Sequence, residues 1–218
     1  MSAEIVRVDV LPTVSKKGTT SNLKDYSSNI MREKNVFNEY VKPHEGAVWD
    51  SQATRIHGLT EHNRKITGAD GMDLVWPRFL QWFANHLKRE EVAALVAYNG
   101  ETYDLKWLWK LTQAPCSLYS LPPEMQYFMD PLKVIRHFTG CPLHPTKSKL
   151  DSLELGVVWK YITKSNLNGA HDSLVDAKAK SDILLHPSFV PYLNKGVSIQ
   201  LITDIFTKTQ TREWKKEM

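Results

Sequence analysis

Three aspartates and one histidine carry the chemistry that this sequence can offer. Asp9, Asp104 and Asp176 each fall at the end of an expected element, and His171 stands five residues before Asp176. Carboxylates drawn from separate segments suit hard cations such as Mg²⁺ or Mn²⁺. Two such ions roughly 3.5–4 Å apart stabilise both the attacking and the leaving oxygen of a phosphodiester. A histidine beside them, with an ordinary pKa near neutrality, can take the proton from the attacking water. The plainer reading is that acidic side chains suit the positive end of any helix.

The elements that must position these residues are readable from periodicity. Around Asp104 the chain runs V-A-A-L-V-A-Y-N-G-E-T-Y-D-L-K-W-L-W-K (92–110). The apolar run Val92 to Ala97 predicts a strand buried on both faces, and Asn99-Gly100 predicts a sharp turn. From Thr102 onward Leu105, Leu108, Trp109 and Leu111 recur at helical spacing, and Pro115 ends the pattern. Asp104 therefore opens a helix just past the carboxyl end of a strand, where open α/β sheets bind ligands. Around Asp176, H-D-S-L-V-D-A-K-A-K-S-D-I-L-L-H-P follows Asn168-Gly169. Asp172 or Ser173 can cap a helix running to about Leu185, with Pro187 as its stop. His171 then lies on the loop before that helix and Asp176 on its second turn, both facing one cleft. Asp9 belongs to Ile5 to Leu11, whose alternation predicts a first strand, stopped by Pro12.

The remaining chain supplies the frame. Ser15 to Asn22 reads as a loop, and Leu23 to Met31 and Asn35 to Lys42 as weaker strands that complete a meander. Asp50 to Lys65 predicts a short helix and turn, and Val75 to Leu87 an amphipathic helix. Tyr127 to Asp130 predicts a strand leading into a helix from about Pro131. Cys141 to Ser148 reads as a loop, Lys149 to Tyr161 as a helix, and Tyr192 to Met218 as one further helix with a basic end. This order, a β-meander and then α, β, α, β, α, α, α, predicts an α/β fold with a three-layer mixed sheet.

The composition narrows the classes. At 218 residues the chain makes one generous domain, or one with a tail. Hydrophobic residues at 42% and charged residues at 24% are ordinary for a soluble protein. No apolar run approaches the roughly 18–20 residues of a membrane span. Charges interrupt M-S-A-E-I-V-R-V-D-V, so no secretion signal is read there. Cys116 and Cys141 lack metal-ligand spacing and read as two free thiols in a reducing compartment, which places the chain inside the cell, in nucleus or cytoplasm. A net charge of +4 permits a nucleic-acid partner without requiring one.

Several segments, taken in register, resemble the DEDDh 3′→5′ exonucleases of the RNase H-like superfamily, in their TREX-like and proofreading branch. A-Y-N-G-E-T-Y-D (97–104) is similar to that family's second motif, and H-D-S-L-V-D-A (171–177) to its third. A-T-R-I-H-G-L-T (53–60), F-M-D-P-L-K-V-I-R (128–136) and K-L-D-S-L-E-L (149–155) follow in the family's order. The resemblance spans about residues 1–186. It implies an RNase H-like domain over residues 1–190, with residues 191–218 a C-terminal helix and basic tail leading toward a further domain. It implies Asp9, Asp104 and Asp176 as ligands of Mg²⁺ or Mn²⁺ and His171 as general base. Thr13, His57, Asn99 and Tyr103 would lie along a single-stranded DNA or RNA substrate.

One position departs from the family. Its first motif is D-x-E-x-T, and V-D-V-L-P-T here puts Leu11 where the Glu belongs. Either another carboxylate, such as Glu101 or Glu4, serves in its place, or the chain is a catalytically dead exonuclease-like module that binds nucleic acid or a protein partner. A third reading is a pure protein-interaction domain cut from a longer chain, which the charged end R-E-W-K-K-E-M suits. For the other notable side chains the structural reading weighs more. A lone His57 is better read as a satisfied ring than as a catalyst. Trp76, Trp82, Trp107 and Trp109 read as core rather than as base-stacking platforms. His144 and His186 have no partner legible in the sequence, and the basic C-terminal run reads as a solvated face.

Overall fold

The computed structural model describes residues 2–4, 36–87, 92–102, 104–113, 117–193 and 199–217. The expected strands Ile5 to Leu11 and Leu23 to Met31, and with them Asp9, Leu11 and Thr13, lie outside these residues, as does Tyr103. In chain order β1 is Ser2–Glu4 and β2 is Val36–Asn38, paired antiparallel with Ala3 opposite Phe37. The expected strand Asn35 to Lys42 is therefore shorter, followed only by a single bridge from Val41 to Asp70. Helices α1 (Ser51–His57), α2 (Arg64–Thr67) and α3 (Met72–His86) come next.

The site is carried by the second sheet. Here β3 (Ala93–Val96), α4 (Asp104–Thr112) and β4 (Met125–Met129) form a parallel β-α-β unit. Then follow α5 (Pro131–His137), α6 (Pro145–Ser148), α7 (Leu155–Thr163), α8 (Ser173–Leu185), α9 (Val190–Leu193), β5 (Ile199–Leu201) and α10 (Ile202–Glu217). The sheet order is β3-β4-β5, with β5 antiparallel to β4 and Gln200 opposite Phe128. It is a mixed sheet flanked by helices. On one face Met129 and Val96 pack with Ile135 of α5, Val158 of α7 and Ile183 of α8. On the other, Ala97 and Phe128 pack with Leu105 and Trp109 of α4 and Ile202, Ile205 and Phe206 of α10. These are the three layers expected from the order of elements. The third cluster gathers Phe37 of β2 with Val75, Trp76, Phe79 and Phe83, the inward face of α3.

Four expectations need correction. The strand at Val92 to Ala97 is not buried on both faces, because Ala94 is exposed and Val92 is 51% exposed; only Ala97, at its carboxyl end, is fully covered. The helix expected from Lys149 begins only at Leu155, because Lys149 takes a left-handed φ of 52° that ends α6. The loop Cys141 to Ser148 contains that short helix, started by Pro145 after a cap from the His144 side chain. Tyr192 to Met218 is not one helix: Ile199-Gln200-Leu201 extends along β4 before α10 begins.

Gly100 shows how closely the turn after β3 approaches the core. A Cβ there would meet the Ala97 side chain at 2.4 Å and the Phe128 ring at 3.0 Å. We therefore predict that Gly100→Ala costs about 1–3 kcal/mol of stability through overpacking, measured by urea denaturation.

Candidate functional site

The turn that presents Asp104 is closed by its own backbone. Gly100 N–H donates to Ala97 O at 3.2 Å, Thr102 N–H to Asn99 O at 3.1 Å, and Leu105 N–H to Gly100 O at 2.9 Å, which starts α4. Asn99 adopts a left-handed φ of 57°, which asparagine tolerates better than most residues. The Thr102 hydroxyl donates to the Asn99 side-chain oxygen at 3.2 Å. Asn99 is thus a turn-former whose side chain is already engaged within the turn.

Asp130 fixes this turn to the neighbouring strand. It stands just past β4, is only 5% exposed, and caps α5. Its Oδ1 accepts from the Leu132 N–H at 2.9 Å and from the Asn99 N–H at 2.9 Å. One carboxylate oxygen therefore ties the carboxyl ends of β3 and β4 together. Burial pushes the Asp130 carboxyl above the usual range against the pull of those two amides; Glu101 pushes the same way and Lys133 opposes it. Asp130, expected as the last residue of the strand, instead caps the helix that Pro131 opens, and its bond to Asn99, 31 residues away, has no local signal.

Two further contacts complete the setting of the turn. The half-buried Tyr98 hydroxyl donates to Leu153 O at 2.7 Å, docking the 149–155 segment on the strand end, and desolvation raises its pKa. Glu101 is ion-paired with Lys133 of α5. The Glu4 side chain is outside the description. Beside this pair a cavity of about 380 Å³ is lined by Lys133, Arg136, His137 and Gln200. Asp104 itself is exposed, with no hydrogen bond or ion pair among the described residues.

The second half of the candidate site lies at the start of α8. Asp172 is the cap, accepting from the N–H groups of Leu174 at 3.0 Å and Val175 at 3.2 Å. Asp176 stands in the first turn of α8 rather than the expected second. Its Oδ1 accepts from the His171 N–H at 3.2 Å, which holds the loop against the helix. His171 has a left-handed φ of 72°, and its side chain is exposed. Lys65 of α2 donates to the Tyr40 hydroxyl at 3.0 Å and feels the charge of Asp172, so α2 neighbours this helix start. The strand β1 also packs against α8.

The structure thus brings His171 and Asp176 into direct contact and places Asp104 on a separate element. The two halves share one core, since Val96 and Tyr98 before the Asp104 turn pack with Ile183 and Leu184 of α8. Among the described residues, however, no three His, Cys, Asp or Glu side chains converge where a metal could sit. The carboxylates present are the hard oxygen donors that Mg²⁺ or Mn²⁺ takes, but the described ones alone do not build a metal centre.

Other candidates resolve more simply. The His57 ring accepts from the Leu59 N–H at 3.0 Å, a local contact on an exposed segment. His144 and His186 have partners that the sequence did not reveal: Nδ1 accepts from the Thr146 N–H and the Ser188 N–H respectively, each at 3.2 Å. Trp76 and Trp109 are core residues and Trp82 is half-buried, but Trp107 is not in the core: it is 72% exposed. Cys141 is a free, buried thiol. No helix among the described residues is long and apolar enough to cross a membrane.

No family model matches this chain, and no curated protein matches it. Among solved structures it is similar to cell-death related nuclease 4 (CRN-4), with 21% identity and a TM-score of 0.52 over 73% of this chain and 52% of that one. The chain thus spans about half the length of that nuclease. What the likeness defines is the class of fold, a mixed α/β sheet flanked by helices as in a nuclease structure.

The double role of Asp130 sets a pH test. Its folded pKa is raised, so its contribution to stability is full below the unfolded value of about 3.9 and fades as pH rises through the folded value. Asp130→Asn keeps an oxygen in place for both N–H donors but cannot ionise. We predict that the variant's stability relative to wild type improves from pH 4 upward and levels off above the folded pKa, measured by denaturant titration across pH. A stability difference independent of pH would contradict this.

Proposed function

We propose that the chain is a nucleic-acid hydrolase domain of the DEDDh 3′→5′ exonuclease type, acting on a 3′ end of single-stranded DNA or RNA. The observation that carries this reading is the pairing at the start of α8. His171 is held to Asp176 through its backbone N–H while its ring is exposed, and its φ of 72° is one that only a few residue types tolerate without strain. The bond to Asp176 fixes the backbone that carries the ring, and an exposed imidazole on a fixed backbone suits general-base work. Support comes also from the exposed Asp104 past the carboxyl end of β3 and from the likeness to a nuclease structure.

Under this reading Asp9, Asp104 and Asp176 would hold Mg²⁺ or Mn²⁺, and such an ion would supply positive charge to the phosphate. His171 receives the proton of the attacking water through its ring. Asp176 orients the loop bearing His171 by accepting its N–H. Asp130 and Gly100 set the direction in which Asp104 leaves the sheet.

A second reading, a non-catalytic module of the same fold that binds nucleic acid or a protein, is favoured by Leu11 in the first motif. The two separate in one assay. A 5′-labelled single-stranded oligonucleotide, as DNA and as RNA, is incubated with Mg²⁺ and then Mn²⁺. The proposed enzyme yields a 3′→5′ ladder that drops by at least about 10²-fold in Asp104→Ala and in His171→Gly. Glycine suits the left-handed backbone, so loss in His171→Gly reports the missing ring rather than a misfolded loop. A wild type that is silent while Leu11→Glu is active would establish the non-catalytic module.

A further inference from the structure

Trp107 is the side chain that the account so far leaves without a purpose. Along α4 the buried residues Leu105, Trp109 and Thr112 face the core, and Leu108 is half-covered. Trp107 lies on the opposite side, 72% exposed, with exposed Lys106 and Lys110 beside it. An indole left in water forfeits the burial that makes tryptophan a core residue. The Lys110 ammonium stands 5.3 Å from the ring centroid, so one face of the ring carries a cation and orients it. Asp104, Trp107 and Lys110 follow one another at intervals of three, which places each on a ridge neighbouring the next.

We propose that Trp107 is a stacking platform for a base of single-stranded nucleic acid, with Lys106 and Lys110 neutralising the adjoining phosphates; this rests on the nucleic-acid reading of the Asp104 site. An aromatic ring flanked by cations is the pairing that single-strand binders use, because every base offers a π-face and every linkage a negative charge. The charge distinguishes this occupant from an apolar protein surface, which would be poorly matched to two lysines at the edges of one ring. The ridge gives the platform its place. A base stacked on Trp107 lies one helical turn from Asp104, so the ring sets how far the strand advances past the candidate catalytic carboxylate.

Binding tests this without relying on catalysis. A fluorescein-labelled single-stranded oligonucleotide is titrated in EDTA with wild type, Trp107→Ala, Trp107→Phe and Trp107→Leu, and circular dichroism checks each fold. Trp107→Ala should weaken binding about 5- to 150-fold, the loss of one stacked base. Trp107→Phe should retain most of the affinity, and Trp107→Leu, apolar but without a π-face, should behave as the alanine variant does. Wild-type affinity in Trp107→Ala, or leucine binding as well as phenylalanine, overturns the platform while leaving the nucleic-acid reading intact. A wild type that binds no oligonucleotide overturns both.

Discussion

One oxygen of Asp130 holds the candidate site in register. By accepting from both Asn99 and Leu132 it joins the turn after β3 to the start of α5. A buried carboxylate is expensive to ionise, and burial does raise this one. Two amide donors on a single oxygen are what make its position tolerable. Because the turn is also pressed against Ala97 and Phe128 at Gly100, its backbone has little freedom, and α4 leaves the sheet in one direction. Asp104 inherits that direction.

The site's two halves are built on different physics. The Asp104 half is held by buried hydrogen bonds at strand ends, where Tyr98 reaches Leu153 and Asn99 reaches Asp130. The His171 half is a surface loop held by a helix cap and one backbone bond to Asp176. The common element is the core beneath them, where Val96 and Tyr98 meet Ile183 and Leu184.

Much of this was legible in the residues, and the misses have physical causes. A cap at Asp172 or Ser173 and the end of α8 near Leu185 followed from local chemistry, and the structure has them at Asp172 and Leu185. The Asn99-Gly100 turn and the helix after it were equally local. Strand β5 was missed because its three residues stand directly before a helix of 16, and a strand that short has no period of its own to read. It exists because β4 offered an edge, which is tertiary information. Trp107 was misread by residue type: the spacing of Leu105, Leu108 and Trp109 already puts position 107 on the opposite side of the helix. The second bond of Asp130 could not be read because it joins residues 31 apart. The first motif, with Asp9 and Leu11, lies outside the described residues, so the site's third carboxylate rests on the sequence.

The central claim is that Asp104 and Asp176 belong to one divalent-cation site. Titration calorimetry with Mn²⁺, on wild type and on Asp104→Asn and Asp176→Asn, tests it most directly. The account predicts saturable binding by wild type and at least about tenfold weaker binding in each variant, since each removes a charged oxygen ligand. Wild-type protein that takes up no Mn²⁺, or variants that bind it as well as wild type, would contradict it.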